Sequence, residues 1–271
     1  YNRAMQHDLI AAAVQMTSGE DKAVNRATAE RLLRRASAAG AELVVLPEYF
    51  NCLGDRRAML AQAEPLPGPT STWLAALAAE LRITLVGGTF CEQFPGRDRA
   101  YNTSLTFDPA GSLIAAYRKR HLFDVELPDL VYRESEWLVP GNDLVHCRAG
   151  DVRVAPAVCY DLRFPEMFRH FAEQAVDVVT LPAAFTKTTG RAHWELLLRA
   201  RAVENQCFVV AANQTGRHAA LETYGHSLIV DPWGELLADA GEAENVAIAR
   251  LSAARLHDVR ARLPALQHRR R

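Results

Sequence analysis

A chain of 271 residues with 49% hydrophobic and 23% charged side chains has the composition of a folded globular protein rather than a disordered one. Its 31 basic and 32 acidic side chains leave a net charge of −1, which gives no electrostatic reason to expect nucleic acid or an anionic membrane as partner, and a small molecule is the better expectation. The longest apolar runs, such as Leu9 to Val14 and Leu43 to Pro47, fall well short of the roughly 20 residues that cross a bilayer. No charged leader followed by an apolar region precedes Leu9, so a cytoplasmic address is expected. The five cysteines, at 52, 91, 147, 159 and 207, contain no zinc-type pair, and their odd number points to reduced thiols rather than a disulfide framework.

Strand-like and helix-like segments alternate, which predicts an α/β fold in one domain. Leu9 to Met16 reads as a buried strand and Lys22 to Ala39 as an amphipathic helix that Gly40 stops. Ala41 to Leu46 is the next strand. Pro65-Leu66-Pro67-Gly68-Pro69 then leads into a helix that Thr70 or Ser71 could cap, through Trp73, Leu77 and Leu81, followed by a strand from Ile83 to Phe90. Tyr101 to Phe107 and Ser112 to Arg118 flank Asp108-Pro109-Ala110-Gly111 and predict a hairpin. A second hairpin is expected between Leu144 to Cys147 and Val152 to Val158. Pro165 can open a helix, Val176 to Leu181 is a strand and Ala192 to Gln206 a helix. Phe208 to Asn213, Ser227 to Asp231 and Ala247 to Arg250 complete the strands, with a turn at Pro232-Trp233-Gly234 and a solvated tail at Arg269-Arg270-Arg271. The four tryptophans are expected in the core.

Three reactive side chains follow strand-like runs directly: Glu48, Lys119 and Cys159. Ligands in layered α/β sheets sit at strand ends, so three residues far apart in sequence could meet there. The chemistry of such a trio is coherent. A carboxylate can take the thiol proton, and an ammonium can stabilise a thiolate or an oxyanion. Taken singly, each has a plainer reading, with Glu48 capping a loop, Lys119 exposed in a basic cluster and Cys159 in the core. His121, His193 and His226 show no close metal-ligand pairing and read as structural. A GxSxG elbow and nucleotide loops are absent.

The segments Leu46-Pro47-Glu48-Tyr49, Tyr117-Arg118-Lys119-Arg120-His121-Leu122-Phe123-Asp124 and Cys159-Tyr160-Asp161-Leu162-Arg163-Phe164-Pro165-Glu166 resemble, in order, the three signature blocks of the nitrilase superfamily, the carbon-nitrogen hydrolases. The likeness continues through Tyr132 to Ser135, Pro140-Gly141-Asn142, Thr189 to Glu195, Arg199 to Asn205, Tyr224 to Ser227 and Asp231 to Gly234, and spans residues 8 to 268 as one domain. It implies a four-layer α-β-β-α sandwich, a homodimer or larger assembly, and a reaction that needs neither metal nor organic cofactor. By that resemblance Cys159 is the nucleophile, Glu48 the general base and acid, Lys119 the oxyanion stabiliser with the Tyr160 N–H, and Glu134 the second glutamate that holds the lysine. The residues after the nucleophile resemble the branch that contains the omega-amidases and the deaminated glutathione amidases, which implies a 2-oxo acid carrying a distal amide. Arg163 would then hold the substrate carboxylate, its plainer reading being an ion pair with Glu166 or Asp161, and Thr189, Tyr49 and Phe185 would complete the pocket. Arg191 departs from the small residue or proline common in this branch. Other amide or N-carbamoyl hydrolysis, and a non-catalytic binding protein on the same fold, remain the alternatives.

Overall fold

The computed structural model describes residues 5–96, 98–127, 130–219 and 221–270. Two sheets stack face to face with helices outside each. In the first sheet the order is Asn245–Leu251, Leu9–Gln15, Leu43–Val45, Thr84–Val86, Ala100–Phe107 and Phe90–Gln93, with Leu113–Arg118 also paired to Ala100–Phe107. In the second it is Leu236–Asp239, Leu228–Val230, Phe208–Asn213, Val178–Ala183, Val152–Pro156 and Cys147–Ala149. Each sheet has a parallel heart: Leu9–Gln15 beside Leu43–Val45 beside Thr84–Val86, and Val152–Pro156 beside Val178–Ala183 beside Phe208–Asn213. These six strands are largely buried on both faces, which is why their sequences are mostly apolar with few interruptions, such as Arg153 and Thr180, rather than regularly alternating.

Alternate side chains feed separate layers. Ala11, Ala13, Leu43, Val45 and Val86 face Val154, Val178, Phe208 and Val210 between the sheets. On the outside of the first sheet, Leu32, Leu33 and Ala36 of the helix Lys22–Ala38, and Leu74, Leu77 and Ala78 of the helix Pro69–Leu81, cover Ala12, Val14 and Val44. Phe168 and Phe171 of the helix Pro165–Glu173, and Trp194, Leu198 and Ala202 of the helix Lys187–Asn205, cover Val179, Leu181, Val209 and Ala211 of the second. The result is the four-layer α-β-β-α sandwich.

Several expectations need correction. The strand expected from Ile83 to Phe90 is two: the chain turns at Gly87-Gly88, and Phe90–Gln93 runs on the far side of Ala100–Phe107. The long helix begins at Lys187 and not at Ala192, passing through Gly190, where a Cβ would lie 2.4 Å from Tyr224 Cβ. The helix Arg56–Ala61, the hairpin strands Asp124–Leu127 and Leu130–Arg133, and the helix Ala253–Arg262 were not expected. Trp194 and Trp137 are buried as expected, but Trp233 is 53% exposed. Arg269 is not simply solvated, since its guanidinium lies 3.6 Å from Glu173 and donates to the Leu266 carbonyl; Arg271 lies outside the described residues. No helix among the described residues is long and apolar enough to cross a membrane.

The Gly87-Gly88 turn is where the fold presses on the site. Gly88 has φ +56, and a Cβ there would stand 2.2 Å from the carbonyl oxygen of Pro47, the residue before Glu48. Gly88→Ala should therefore lower stability by about 2 kcal/mol or more through strain and overlap together. Chemical denaturation with an unchanged midpoint would refute this.

Candidate functional site

Two parallel strands and one antiparallel strand deliver the expected residues to one point. Leu43–Val45 runs into Leu46-Pro47-Glu48, Leu113–Arg118 into Lys119, and Val152–Pro156 into a 3-10 turn, Cys159–Arg163. Glu134 opens another 3-10 turn, Glu134–Glu136, directly after the strand Leu130–Arg133. Lys119 Nζ donates to Glu48 Oε1 at 2.9 Å, to Glu134 Oε2 at 2.8 Å and to Glu134 Oε1 at 3.1 Å. The three side chains are between 1% and 3% exposed, so this is a buried ion cluster rather than a surface salt bridge.

Each carboxylate is satisfied on all sides. Glu134 accepts the Phe123 N–H at 2.7 Å and the Tyr49 hydroxyl at 3.0 Å. Glu48 Oε1 accepts Asn102 Nδ2 at 2.8 Å, and its Oε2 accepts the Ala184 N–H at 2.8 Å. Gln214 Nε2 holds the Glu48 carbonyl at 2.9 Å. Such saturation is what makes a buried charge tolerable.

The electrostatics follow from this packing. Burial pushes the Lys119 ammonium down, but Glu134 and Glu48 more than reverse this and leave its pKa well above the usual lysine value. Burial pushes the Glu134 carboxyl up, Lys119 opposes it, and the net shift is upward. Burial, followed by the nearby Glu48 carboxylate, lifts the Cys159 thiol well above its ordinary pKa, while Lys119 and the Ala184 N–H pull the other way. At rest the thiol is therefore protonated.

Cys159 occupies a strained position. Its φ is +45, a region that a non-glycine residue adopts only when its surroundings enforce it. Asp161, fully buried, does the enforcing. Its Oδ2 accepts the Val158 N–H at 2.8 Å and the Tyr117 hydroxyl at 2.7 Å, and its Oδ1 accepts the His121 N–H at 3.1 Å and contacts His121 Nδ1 at 2.7 Å. The cysteine turn is thereby tied to both flanks of Lys119.

A narrow cleft opens onto Cys159 between Phe123, Tyr160, Ala184, Phe185, Thr186 and Thr189. Arg163 stands over two of its walls, with its guanidinium carbon 5.2 Å from the Phe185 ring and 5.8 Å from the Tyr160 ring. Arg163 has neither of the ion pairs considered from sequence; its Nη1 lies 3.3 Å from His193 Nδ1. Thr189 shares a hydrogen bond with Thr186, 2.7 Å between hydroxyl oxygens. Tyr49 is placed differently from the other expected wall residues. It is buried, does not line the cavity, and braces Glu134 from behind.

The sequence profile of the carbon-nitrogen hydrolases matches residues 10–261. The chain belongs to the carbon-nitrogen hydrolase family. It is 43% identical over 265 residues to the deaminated glutathione amidase of Synechocystis, covering 96% of this chain and 97% of that one. It is 38% identical over 261 residues to the omega-amidase NIT2 of Danio rerio, at 96% and 94% coverage. Crystalline Nit3 of Saccharomyces cerevisiae, a member of branch 10 of the nitrilase superfamily, superposes with a TM-score of 0.89 at 34% identity, over 96% of this chain and 97% of that one.

Sequence reasoning missed three contributors to the site of this carbon-nitrogen hydrolase. Asn102 carried a usable signal, since asparagine is a poor strand residue at the centre of a strand-forming run. Asp161 was considered only as a partner of Arg163. The Ala184 N–H carries no side-chain signature at all. Among the described residues no group of three or more His, Cys, Asp or Glu is placed to hold a metal ion.

The cluster predicts a pH signature. Lys119→Met would leave two buried carboxylates without their counter-ion, costing about 3 kcal/mol or more near pH 8. Glu134 already binds its proton more readily folded than unfolded, and losing Lys119 strengthens that preference. Folding then takes up a proton, so the variant should regain stability as pH falls from 8 towards 5. Denaturation midpoints that fall over this interval, or stay flat, would contradict the charge arrangement.

Proposed function

We propose that this hydrolase is an amidase that cleaves the distal amide of a small 2-oxo acid through a thioester on Cys159. The observation that carries the reading is the buried Glu48, Lys119 and Glu134 cluster meeting a protonated Cys159 thiol at the floor of an aromatic-walled cavity.

Because burial disfavours a resting thiolate, the proton leaves Sγ as Sγ attacks the amide carbon, and Glu48 receives it. The net charge of the cluster stays constant through that step. Negative charge then builds on the carbonyl oxygen, where the Lys119 ammonium and the Tyr160 N–H stabilise it. The C–N bond breaks, Glu48 returns the proton to the departing nitrogen, and an acyl thioester remains. Water attacks the thioester with Glu48 again taking a proton, and the C–S bond breaks to release the carboxylic acid and restore the thiol. Glu134 keeps Lys119 charged and aimed throughout.

Arg163 accounts for the acid end of the substrate. A planar guanidinium matches a carboxylate in a two-pronged contact, and Thr189 adds a hydroxyl nearby. The likeness to a deaminated glutathione amidase and to an omega-amidase supports the same substrate class. Five free, buried cysteines fit a reducing compartment such as the cytoplasm.

The deciding assay compares kcat/KM for deaminated glutathione and for 2-oxoglutaramate, with Cys159→Ala as the blank. Preference for the first is expected from the higher identity; preference for the second would make the enzyme an omega-amidase, and turnover of neither would overturn the substrate class. Arg163→Ala should raise KM for either by at least tenfold, and an unchanged KM would remove Arg163 from carboxylate binding.

The same reading includes self-association. Leu196 and Val203 form an exposed apolar row on the helix Lys187–Asn205, next to exposed Trp233, whose turn that helix grips through Arg199 Nε and the Gly234 carbonyl. A second copy of the chain fits this face. Sedimentation should give at least twice the 30.0 kDa chain mass, and Leu196→Glu should reduce it. A single species of chain mass at micromolar concentration would refute the dimer.

A further inference from the structure

Asn102 lies in the strand Ala100–Phe107, 1% exposed, opposite the residue that carries the ammonium. The register pairs Thr103 with Arg118, and the Lys119 N–H donates to the Asn102 carbonyl at 2.8 Å. This puts the amide side chain within reach of Glu48. Its Nδ2 donates to Oε1, the same oxygen that accepts Lys119 Nζ. The second carboxylate oxygen, Oε2, accepts the Ala184 N–H, and Ala184 lines the cleft together with Cys159, so Oε2 is the oxygen on the cleft side.

The other end of the amide is informative. Asn102 Oδ1 is buried with no protein partner, an arrangement that native structures avoid without a reason. Turning the amide over would set Oδ1 against the Glu48 carboxylate, acceptor against acceptor. The ionised glutamate thus dictates which way the amide points, even though the carbonyl end is left unpaired.

We infer that Asn102 is a positioning residue for proton transfer: together with Lys119 it occupies both acceptor directions of Glu48 Oε1, so that Oε2 is the oxygen that exchanges the proton with Cys159. The inference rests on the assignment of Glu48 as the base. Lys119 alone would leave Oε1 competing for the thiol proton on the wrong side of the carboxylate. A neutral donor is suited to the task, because a second cation would hold the carboxylate too firmly to accept a proton.

The surroundings define what a pH profile would read. Lys119 and Glu134 face Glu48 from the strand ends, Cys159 from its own turn, and Tyr49, Tyr132 and Cys91 stand further out. Burial pushes the last three upward, so they stay neutral through the working range.

The test measures alkylation of Cys159 by iodoacetamide, located by peptide mapping, from pH 4 to 9, alongside amide turnover. It uses the wild type, Asn102→Ala, Asn102→Asp and Glu48→Gln, with folding checked by circular dichroism. Asn102→Ala should move the acid limb of both profiles up by about one pH unit and lower kcat/KM at least tenfold at pH 7, because the ionised glutamate loses a donor. Asn102→Asp keeps the shape and removes the donor, so it should lose more than alanine does and shift the limb further, two carboxylates then sharing a proton. A space-filling role predicts the reverse order and a fixed limb, and either result overturns the inference. A reactive, active Glu48→Gln would instead sink the base assignment itself. An inert Glu48→Gln with unshifted Asn102 variants would sink the Asn102 role alone. Should Asn102→Asp fail to fold, the limb position of Asn102→Ala decides.

Discussion

Lys119 is held between two carboxylates in a space from which water is almost entirely excluded, and the rest of the architecture is arranged to make that tolerable. A buried ammonium or carboxylate alone would shed its charge rather than pay the desolvation cost. Here each charge has its partners. Backbone N–H groups from Phe123 and Ala184, the Tyr49 hydroxyl and the Asn102 amide fill the remaining acceptor directions. These donors come from four separate stretches of chain, so the cluster forms only when both sheets and the turns between them are in place. The site is thus a product of the whole sandwich and of no single motif.

The cluster also sets the state of the nucleophile. Two carboxylates against one ammonium leave a negative surplus, and a thiolate would add to it. Cys159 therefore rests as a thiol despite having a lysine in the same cluster. A cysteine activated in advance by cationic neighbours would stand exposed to oxidants and stray electrophiles; on the proposed mechanism Cys159 ionises only as its proton passes to Glu48, when a carbonyl carbon is present to receive the sulfur. The strained turn at Cys159 fits the same logic, since φ +45 is imposed by Asp161 and points the thiol at the cavity regardless of its charge.

Glu48, Lys119 and Cys159 were legible because each directly follows a strand-like run, two of them in the parallel heart of a sheet and Lys119 on an antiparallel strand. Glu134 was not legible in that way; it sits after a short hairpin with no buried apolar pattern, and only the family resemblance pointed to it. Asn102 was hidden because the reading of the strand Ala100–Phe107 attended to its apolar residues, whereas the informative face is the polar one. The helix Ala253–Arg262 escaped because only Ala253, Leu256 and Val259 face inward among charged neighbours. Trp233 misled for the opposite reason, since a large aromatic residue is ordinarily buried and this one is exposed beside Leu196 and Val203, the face proposed for a second copy. The turn at Gly87-Gly88 shows the limit of pattern reading most clearly. Its apolar flanks look continuous, and the break arises from a close approach to Pro47 that no local pattern contains.

Charge also decides how an acid substrate can lie. A carboxylate brought near Glu48 and Glu134 would meet the negative surplus of the cluster at close range in a medium that screens poorly. The Arg163 guanidinium stands over the Phe185 and Tyr160 rings of the cleft wall, and on the proposed assignment it supplies the compensating cation. Its nearest polar partner is the imidazole of His193, 3.3 Å from Nη1, and not a carboxylate. On the proposed roles of Arg163 and Cys159, a substrate with a carboxylate at one end and a neutral amide at the other has one favourable orientation, acid to Arg163 and amide to Cys159. A neutral amide of the same length would lack that orienting contact, and a carboxylate close to the scissile bond would be repelled by the site itself. On that proposal, selectivity for a distal amide in an acid follows from where the protein has placed its surplus charges, before any shape complementarity is considered.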